Sequence, residues 1–143
     1  MIVSTKGRYA LRVLIDLAEH DNGNYIPMKD VAERQEISLK YLERIMPVLA
    51  RNRLVEGVHG KGGGYKLTRS PDQYVVGDIL RLTEDTLAPV ACLKDEPNLC
   101  KRADDCRTLP LWEGLYDVIN NYLDSYTIAD LMYKEDAGNY YVI

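Results

Sequence analysis

Three cysteines, Cys92, Cys100 and Cys106, fall within fifteen residues, and the chain has no others. Their spacing is C-x7-C-x5-C. Soft thiolate sulfur suits iron–sulfur clusters and zinc. Zinc motifs usually carry C-x2-4-C pairs, and none occurs here. A disulfide would leave one cysteine over, and reducing compartments disfavour it. On spacing alone, a thiolate-held cluster stands beside three ordinary thiols in an acidic loop.

A second set of chemistry-bearing residues lies upstream. Ser38, Lys40, Glu43 and Arg44 open an amphipathic segment whose Leu42, Ile45, Met46 and Leu49 repeat at helical spacing. A helix presented this way to a DNA major groove sets arginine against guanine and glutamate against cytosine N4. Lys40, Arg51, Arg53, Lys61 and Lys66 suit backbone phosphates, which position a protein without reading sequence. From Arg34 to Arg69 there are eight Lys/Arg and three Asp/Glu, a stretch of +5 in a chain of net charge −4. A basic stripe on an acidic body attracts phosphate while limiting indiscriminate attachment. A merely solvated charged face would look similar.

The elements that position these residues are legible in outline. A first helix is expected from about Lys6 to His20, with Tyr9, Val13, Leu17 and Ala10, Leu14, Ala18 forming an apolar stripe and Arg12, Asp16 and Glu19 off it. Asp21-Asn22-Gly23-Asn24 ends it. A short second helix takes Pro27 as its first helical position. Ser38 is the N-cap of a third. Two helices with a tight turn, the second polar near its start, describe a helix-turn-helix. Pro47 removes a backbone bond inside the third helix and predicts a kink or local opening. β-prone runs then flank the glycine-rich His59 to Gly63, a hairpin tip where glycine permits positive φ and close approach. A nucleotide phosphate loop is disfavoured, because neither Gly-Lys-Ser/Thr nor a helix follows.

A fourth helix is expected over Val76 to Leu82, and no periodicity from 84 to 109. A long helix is then expected from Leu111 to Tyr126. Its seam of Leu111, Leu115, Val118, Ile119, Tyr122 and Tyr126 is more than one short domain easily buries, and a two-fold interface would cover it. Thr127 caps a last short helix, Ile128 to Tyr133. The expected class is mainly α with a small β-wing: a winged helix-turn-helix domain (1–83), a cysteine loop (84–109), and a dimerisation helix with C-terminal tail (110–143). No run approaches the ~20 apolar residues of a membrane helix. Met1-Ile2-Val3-Ser4-Thr5-Lys6 does not resemble a signal peptide, so a cytoplasmic protein is expected. No Cys-His pair or pocket motif suggests an enzyme.

Several stretches resemble the IscR/NsrR/RirA/CymR family of bacterial winged-helix regulators. They are Ser4-Thr5-Lys6-Gly7-Arg8-Tyr9-Ala10-Leu11-Arg12, Ile37-Ser38-Leu39-Lys40-Tyr41-Leu42-Glu43-Arg44, Gly60-Lys61-Gly62-Gly63-Gly64-Tyr65, Leu87-Ala88-Pro89-Val90-Ala91-Cys92, Leu111-Trp112, and Leu123-Asp124-Ser125-Tyr126-Thr127-Ile128-Ala129-Asp130-Leu131. The resemblance implies a homodimeric repressor on a two-fold related double-stranded operator. It implies that Ser38, Lys40, Tyr41, Glu43 and Arg44 face the major groove, and that His59, Gly60 and Lys61 enter the minor groove. His59 replaces a common arginine. It further implies a [2Fe–2S] or [4Fe–4S] iron–sulfur cluster on Cys92, Cys100 and Cys106, serving as a sensor of iron–sulfur, redox or iron status. The first gap is x7, against x5 in the biogenesis regulator. Leu109 stands where that relative has histidine, and Arg8 where the nitric-oxide sensor has aspartate. Asp95, Asp104, Asp105, water or a small thiol remain open as the fourth ligand. The alternative within the family is a cluster-free regulator of cysteine metabolism that acts with a partner enzyme. That relative also has a Tyr-rich tail, like Tyr140-Tyr141-Val142-Ile143, but lacks the cysteine triad.

Overall fold

The computed structural model describes residues 3–134. Residues 1, 2 and 135–143, including the Tyr-rich tail, lie outside that range. Helix α1 (Thr5–Glu19) begins at Ser4, whose hydroxyl accepts from the Gly7 N–H, and ends at His20. Helix α2 spans Met28–Gln35. Pro27 is its N-cap rather than its first helical residue: its extended backbone finishes the preceding strand-like turn before the helix starts. Helix α3 spans Leu39–Arg51, capped as expected by the Ser38 side chain on the Tyr41 N–H. It is one continuous helix across Pro47. Ile45, Met46 and Leu49 are all buried around the proline, and their packing keeps the residues on both sides of it helical.

The wing is the antiparallel pair β1 (Val55–Val58) and β2 (Gly64–Leu67), with Val55 opposite Leu67 and Val58 opposite Gly64. Its base is tied to the α1–α2 connection: Ile26 and Tyr65 exchange N–H···O bonds of 2.8 and 3.0 Å. Gly64 allows this approach. It sits at φ +154°, and a Cβ there would lie 2.1 Å from the Ile26 carbonyl oxygen. Backbone cannot yield as a flexible side chain would. Gly64→Ala is therefore expected to lose about 1–3 kcal/mol of unfolding free energy, read by chemical denaturation.

Helix α4 (Val76–Thr83) packs on α1, and α5 (Leu109–Asp124) packs on α4. A short 3₁₀ turn, Ala91–Leu93, lies between them. Helix α6 (Ile128–Leu131) is stopped earlier than expected, since Met132 is extended. Thr127 and Asp130 form a reciprocal capping box there. Ile128 is fully buried in the main core with Ala10, Leu14, Leu42, Leu49 and Ile79. A smaller cluster of Val76, Leu80 and Leu87 receives Tyr116 and Leu123 of α5.

Asp16 corrects the expectation that it lies off the buried stripe: its exposure is 0%. Arg34 donates to it through Nε at 3.0 Å and Nη2 at 2.7 Å, and Gln35 through Nε2 at 2.9 Å. Arg12 in turn donates to the Gln35 side chain and carbonyl. These bonds tie the end of α2 to α1 immediately before the helix-turn-helix turn, where Glu36 takes φ 55°.

The seam on α5 also divides. Leu109, Trp112, Tyr116, Ile119 and Leu123 are half-buried, Tyr116 and Leu123 against the smaller core cluster, while Leu111, Leu115, Val118 and Tyr122 are exposed. Ile119 therefore lies off the exposed row. Tyr126 follows the helix rather than ending it.

Candidate nucleic-acid interface and thiol loop

Ser38, Lys40, Tyr41, Glu43 and Arg44 line one shallow concavity on the outer face of α3. Lys40, Glu43 and Arg44 are exposed, whereas Leu42, Ile45 and Met46 on the opposite face are buried. The tight turn and the apolar face thus aim the polar residues outward together. Tyr41 is fixed by an edge-on contact with Tyr9, with centroids 5.3 Å apart at 73°, and the Arg12 guanidinium lies 5.1 Å from the Tyr9 centroid. His59, Gly60 and Lys61 are exposed at the wing tip, separate from α3 in the chain but within the same winged unit. Gly60 and Gly62 take φ of +92° and +79°, and the Gly63 N–H bonds the Gly60 carbonyl at 2.9 Å, which closes the tip. At the wing's base Lys66 pairs with Glu56 at 3.4 Å and lies over the Tyr25 ring.

The thiols lie on the far side of α4 in chain order. All three are free; Cys92 and Cys106 are half-buried and Cys100 is exposed. The Cys106 thiol is pulled below its ordinary value of 9.0, first by the Thr108 hydroxyl at 3.5 Å, then by the backbone at Thr108. The Leu109 backbone and the Arg102 charge act the same way. Such a setting favours the thiolate, the metal-binding form. The donor set therefore fits a thiolate-held group. The arrangement has not gathered it: among the described residues, no three His, Cys, Asp or Glu side chains converge on a metal-sized site.

The Rrf2 family model, described as "Iron-dependent Transcriptional regulator", matches residues 3–134. The chain belongs to the Rrf2 family. It is a DNA-binding transcriptional regulator. It is 35% identical to the HTH-type transcriptional regulator IscR of Serratia proteamaculans over 137 residues, which is 96% of this chain and 82% of that one. Among solved structures it resembles CymR, the global cysteine regulator of B. subtilis, with TM-score 0.74 and 35% identity over 92% of this chain and 95% of that one. It also resembles T. potens IscR, with TM-score 0.73 and 37% identity over 92% and 85%. The winged-helix class expected from the sequence is the class of these Rrf2 structures.

Two features of this Rrf2 chain escaped the sequence reading. One is the Asp16–Arg34–Gln35 network. The other is a clasp between α4 and α5: Arg81 donates to both Asp124 oxygens, at 2.8 and 3.0 Å, and to Asn120 at 3.0 Å. Gly77 makes room for it, because a Cβ there would lie 1.9 Å from the Asp124 carboxylate. The only sequence signal for either is a charged residue at helical spacing from apolar neighbours, which an exposed residue shares.

Proposed function

We propose that this Rrf2 regulator is a cytoplasmic homodimeric repressor whose hold on a two-fold related operator is set by an iron–sulfur cluster on Cys92, Cys100 and Cys106. The observation that carries the reading is placement. Three free thiols occupy the segment that runs directly into α5, and α5 bears an exposed apolar row on its outer face. A bound cluster would supply a redox- and iron-sensitive group whose gain or loss changes what the loop must hold. The chain's own contacts do the rest. Cys106 is three residues before the start of α5. Arg81 locks α5 to α4. Ser4 donates from its N–H and hydroxyl to Glu84 at 3.0 and 2.7 Å, locking the end of α4 to the start of α1. Tyr9 of α1 braces Tyr41 of α3. Ser38, Lys40, Tyr41, Glu43 and Arg44 then read the major groove, and His59, Gly60 and Lys61 reach the minor groove. An effector shifts such a system only through unequal affinity for its two arrangements. The protein regulates without turnover of its own.

The alternative is a cluster-free cysteine-metabolism regulator acting with a metabolic enzyme. Structural likeness is nearly equal in the two directions, with TM-scores of 0.74 and 0.73, so the cluster reading rests on the three thiols. Reconstitution without oxygen, using ferrous iron and sulfide, is expected to give stoichiometric iron and sulfide with visible absorption. Cys92→Ala, Cys100→Ala and Cys106→Ala should each lose it. A colourless wild-type protein, or equal operator affinity with and without cluster, would overturn the proposal.

A further inference from the structure

A second concavity flanks Arg44. It lies between the first turn of α1 and α3, has a volume of about 290 Å³, and is lined by Lys6, Tyr41, Arg44 and Ile45. Lys6 reaches it because it stands three residues before Tyr9, and i, i+3 residues share a helix face. Tyr9 is the residue that packs edge-on against Tyr41. Arg44 lines both this notch and the concavity on the outer face of α3.

The two cations in the notch differ from several others in the chain. Arg34 is taken up by Asp16, Arg81 by Asp124, Lys66 by Glu56 and Lys94 by Asp85. Among the described residues, neither Lys6 nor Arg44 has a carboxylate within 4.0 Å. Two like charges line one open notch, and none of its described lining residues is acidic. An anion placed there gains from both. The notch shares Tyr41 and Arg44 with the polar face of α3 and adds Lys6 on the side toward α1, which is where a duplex presents its backbone when a helix lies in the major groove.

We propose that Lys6 and Arg44 clamp a DNA backbone phosphate in this notch, so that α1 holds the duplex together with α3 and the wing. The inference rests on the reading of α3 as the major-groove helix. Lysine acts here as a point charge, so it fixes where the duplex sits without choosing its sequence. Tyr41, braced from behind by Tyr9, keeps the notch open.

The test compares wild type with Lys6→Gln and Lys6→Arg by fluorescence anisotropy. Two duplexes serve as probes: one selected from a randomised pool for tightest binding, and a scrambled version of it. Titrations run between about 50 and 200 mM salt. Lys6→Gln is expected to weaken both duplexes by a common factor of about five to ten and to flatten the log–log salt slope by about 1 per bound protomer. Lys6→Arg should keep the wild-type slope. A neutral methylphosphonate walked along the selected duplex should reveal a step that weakens wild type and leaves Lys6→Gln unaffected. Unchanged affinity and slope in Lys6→Gln overturn the proposal. So does a loss confined to the selected duplex, and so does a loss accompanied by a lowered melting temperature with no change in slope. Lys40→Gln and Arg44→Gln run in parallel. If they lose binding while Lys6→Gln does not, the notch alone falls. If none of the three loses binding, the reading of α3 falls with it.

Discussion

Asp16→Ala is expected to lower unfolding stability by about 3 kcal/mol, and the melting temperature by roughly 10 °C. The carboxylate is fully buried and receives three hydrogen bonds, two from Arg34 and one from Gln35. Removing it leaves a guanidinium whose partner has gone. The Arg34 side chain is 33% exposed, so water recovers part of that loss, and the effect sits at the low end of the range for broken buried pairs. A domain of this size has roughly 5–15 kcal/mol in total, so the variant still folds but with a large part of its margin gone. The same group predicts a pH dependence. Burial pushes the Asp16 carboxyl up, yet the Arg34 and Gln35 hydrogen bonds and the Arg34 and His20 charges outweigh it and leave it below the ordinary 3.8. A depressed carboxyl stabilises the fold at pH values above its unfolded value, about 3.9. That stability is lost as pH falls through the lower folded value. Asp16→Asn should therefore flatten the stability–pH curve below about pH 4, as measured by denaturation at stepped pH. An Asp16→Ala protein that melts within a degree or two of wild type would remove the network from the account of what fixes the helix-turn-helix turn.

Asp16 also marks where the sequence stopped being legible. Apolar periodicity located α1 and α3 closely, because each buries one face and its i, i+4 rows record that face directly. Ser38 and Thr127 were readable as caps because a short hydroxyl side chain before an apolar-periodic run has a definite use for the helix's unpaired N–H groups. Asp16 was not readable. Its burial depends on Arg34, eighteen residues away, and no local pattern separates a carboxylate facing water from one facing a guanidinium. Gly7, Gly64 and Gly77 share this property: each is required by what approaches from elsewhere, the Glu84 side chain, the Ile26 backbone and the Asp124 carboxylate respectively. The polar face of α3 was legible from its first turns alone. Lys6 was not, because its place beside Arg44 follows from how α1 crosses α3. The thiols were legible as a set by type and proximity. Their spacing carries no information about how residues 92–106 fold, since that stretch has little regular structure to impose a period.

Val118→Glu is expected to convert the protein to a monomer and to weaken operator binding by at least about a hundredfold. The outer row of α5 exposes Leu111 at 62%, Leu115 at 40%, Val118 at 63% and Tyr122 at 61%. Their 4-3-4 spacing makes a straight stripe about 16 Å long on one side of the helix. Tyr116 and Leu123 of the inner row already pack against the domain, whereas the outer row is exposed, with Tyr122 beside the Tyr126 ring. In a two-fold pairing, residues near the stripe's centre meet their own copies. Leu115 and Val118 are those residues. A glutamate at 118 would place two carboxylates in an apolar seam with no cation between them, and each buried charge costs several kcal/mol. The fold of each protomer does not depend on that side chain, so the melting curve of the separated protomer should keep its cooperativity. A helix-turn-helix dimer gains most of its operator affinity because engaging one half-site holds the second reading helix over the other. A monomer loses that advantage while retaining its ordinary attraction to phosphate. Sedimentation at micromolar concentration should show half the wild-type mass. Anisotropy should show weakened binding to the two-fold site with little change on unrelated duplex. The cysteine loop enters α5 at the end of this same stripe, so in the mechanism proposed above the loop's arrangement would act on the angle at which two such stripes meet, and through Arg81, Glu84 and Tyr9 on the spacing of the reading helices. If Val118→Glu sediments as wild type does and holds the operator as tightly, the pairing lies elsewhere and that route from thiol to DNA has no mechanical basis.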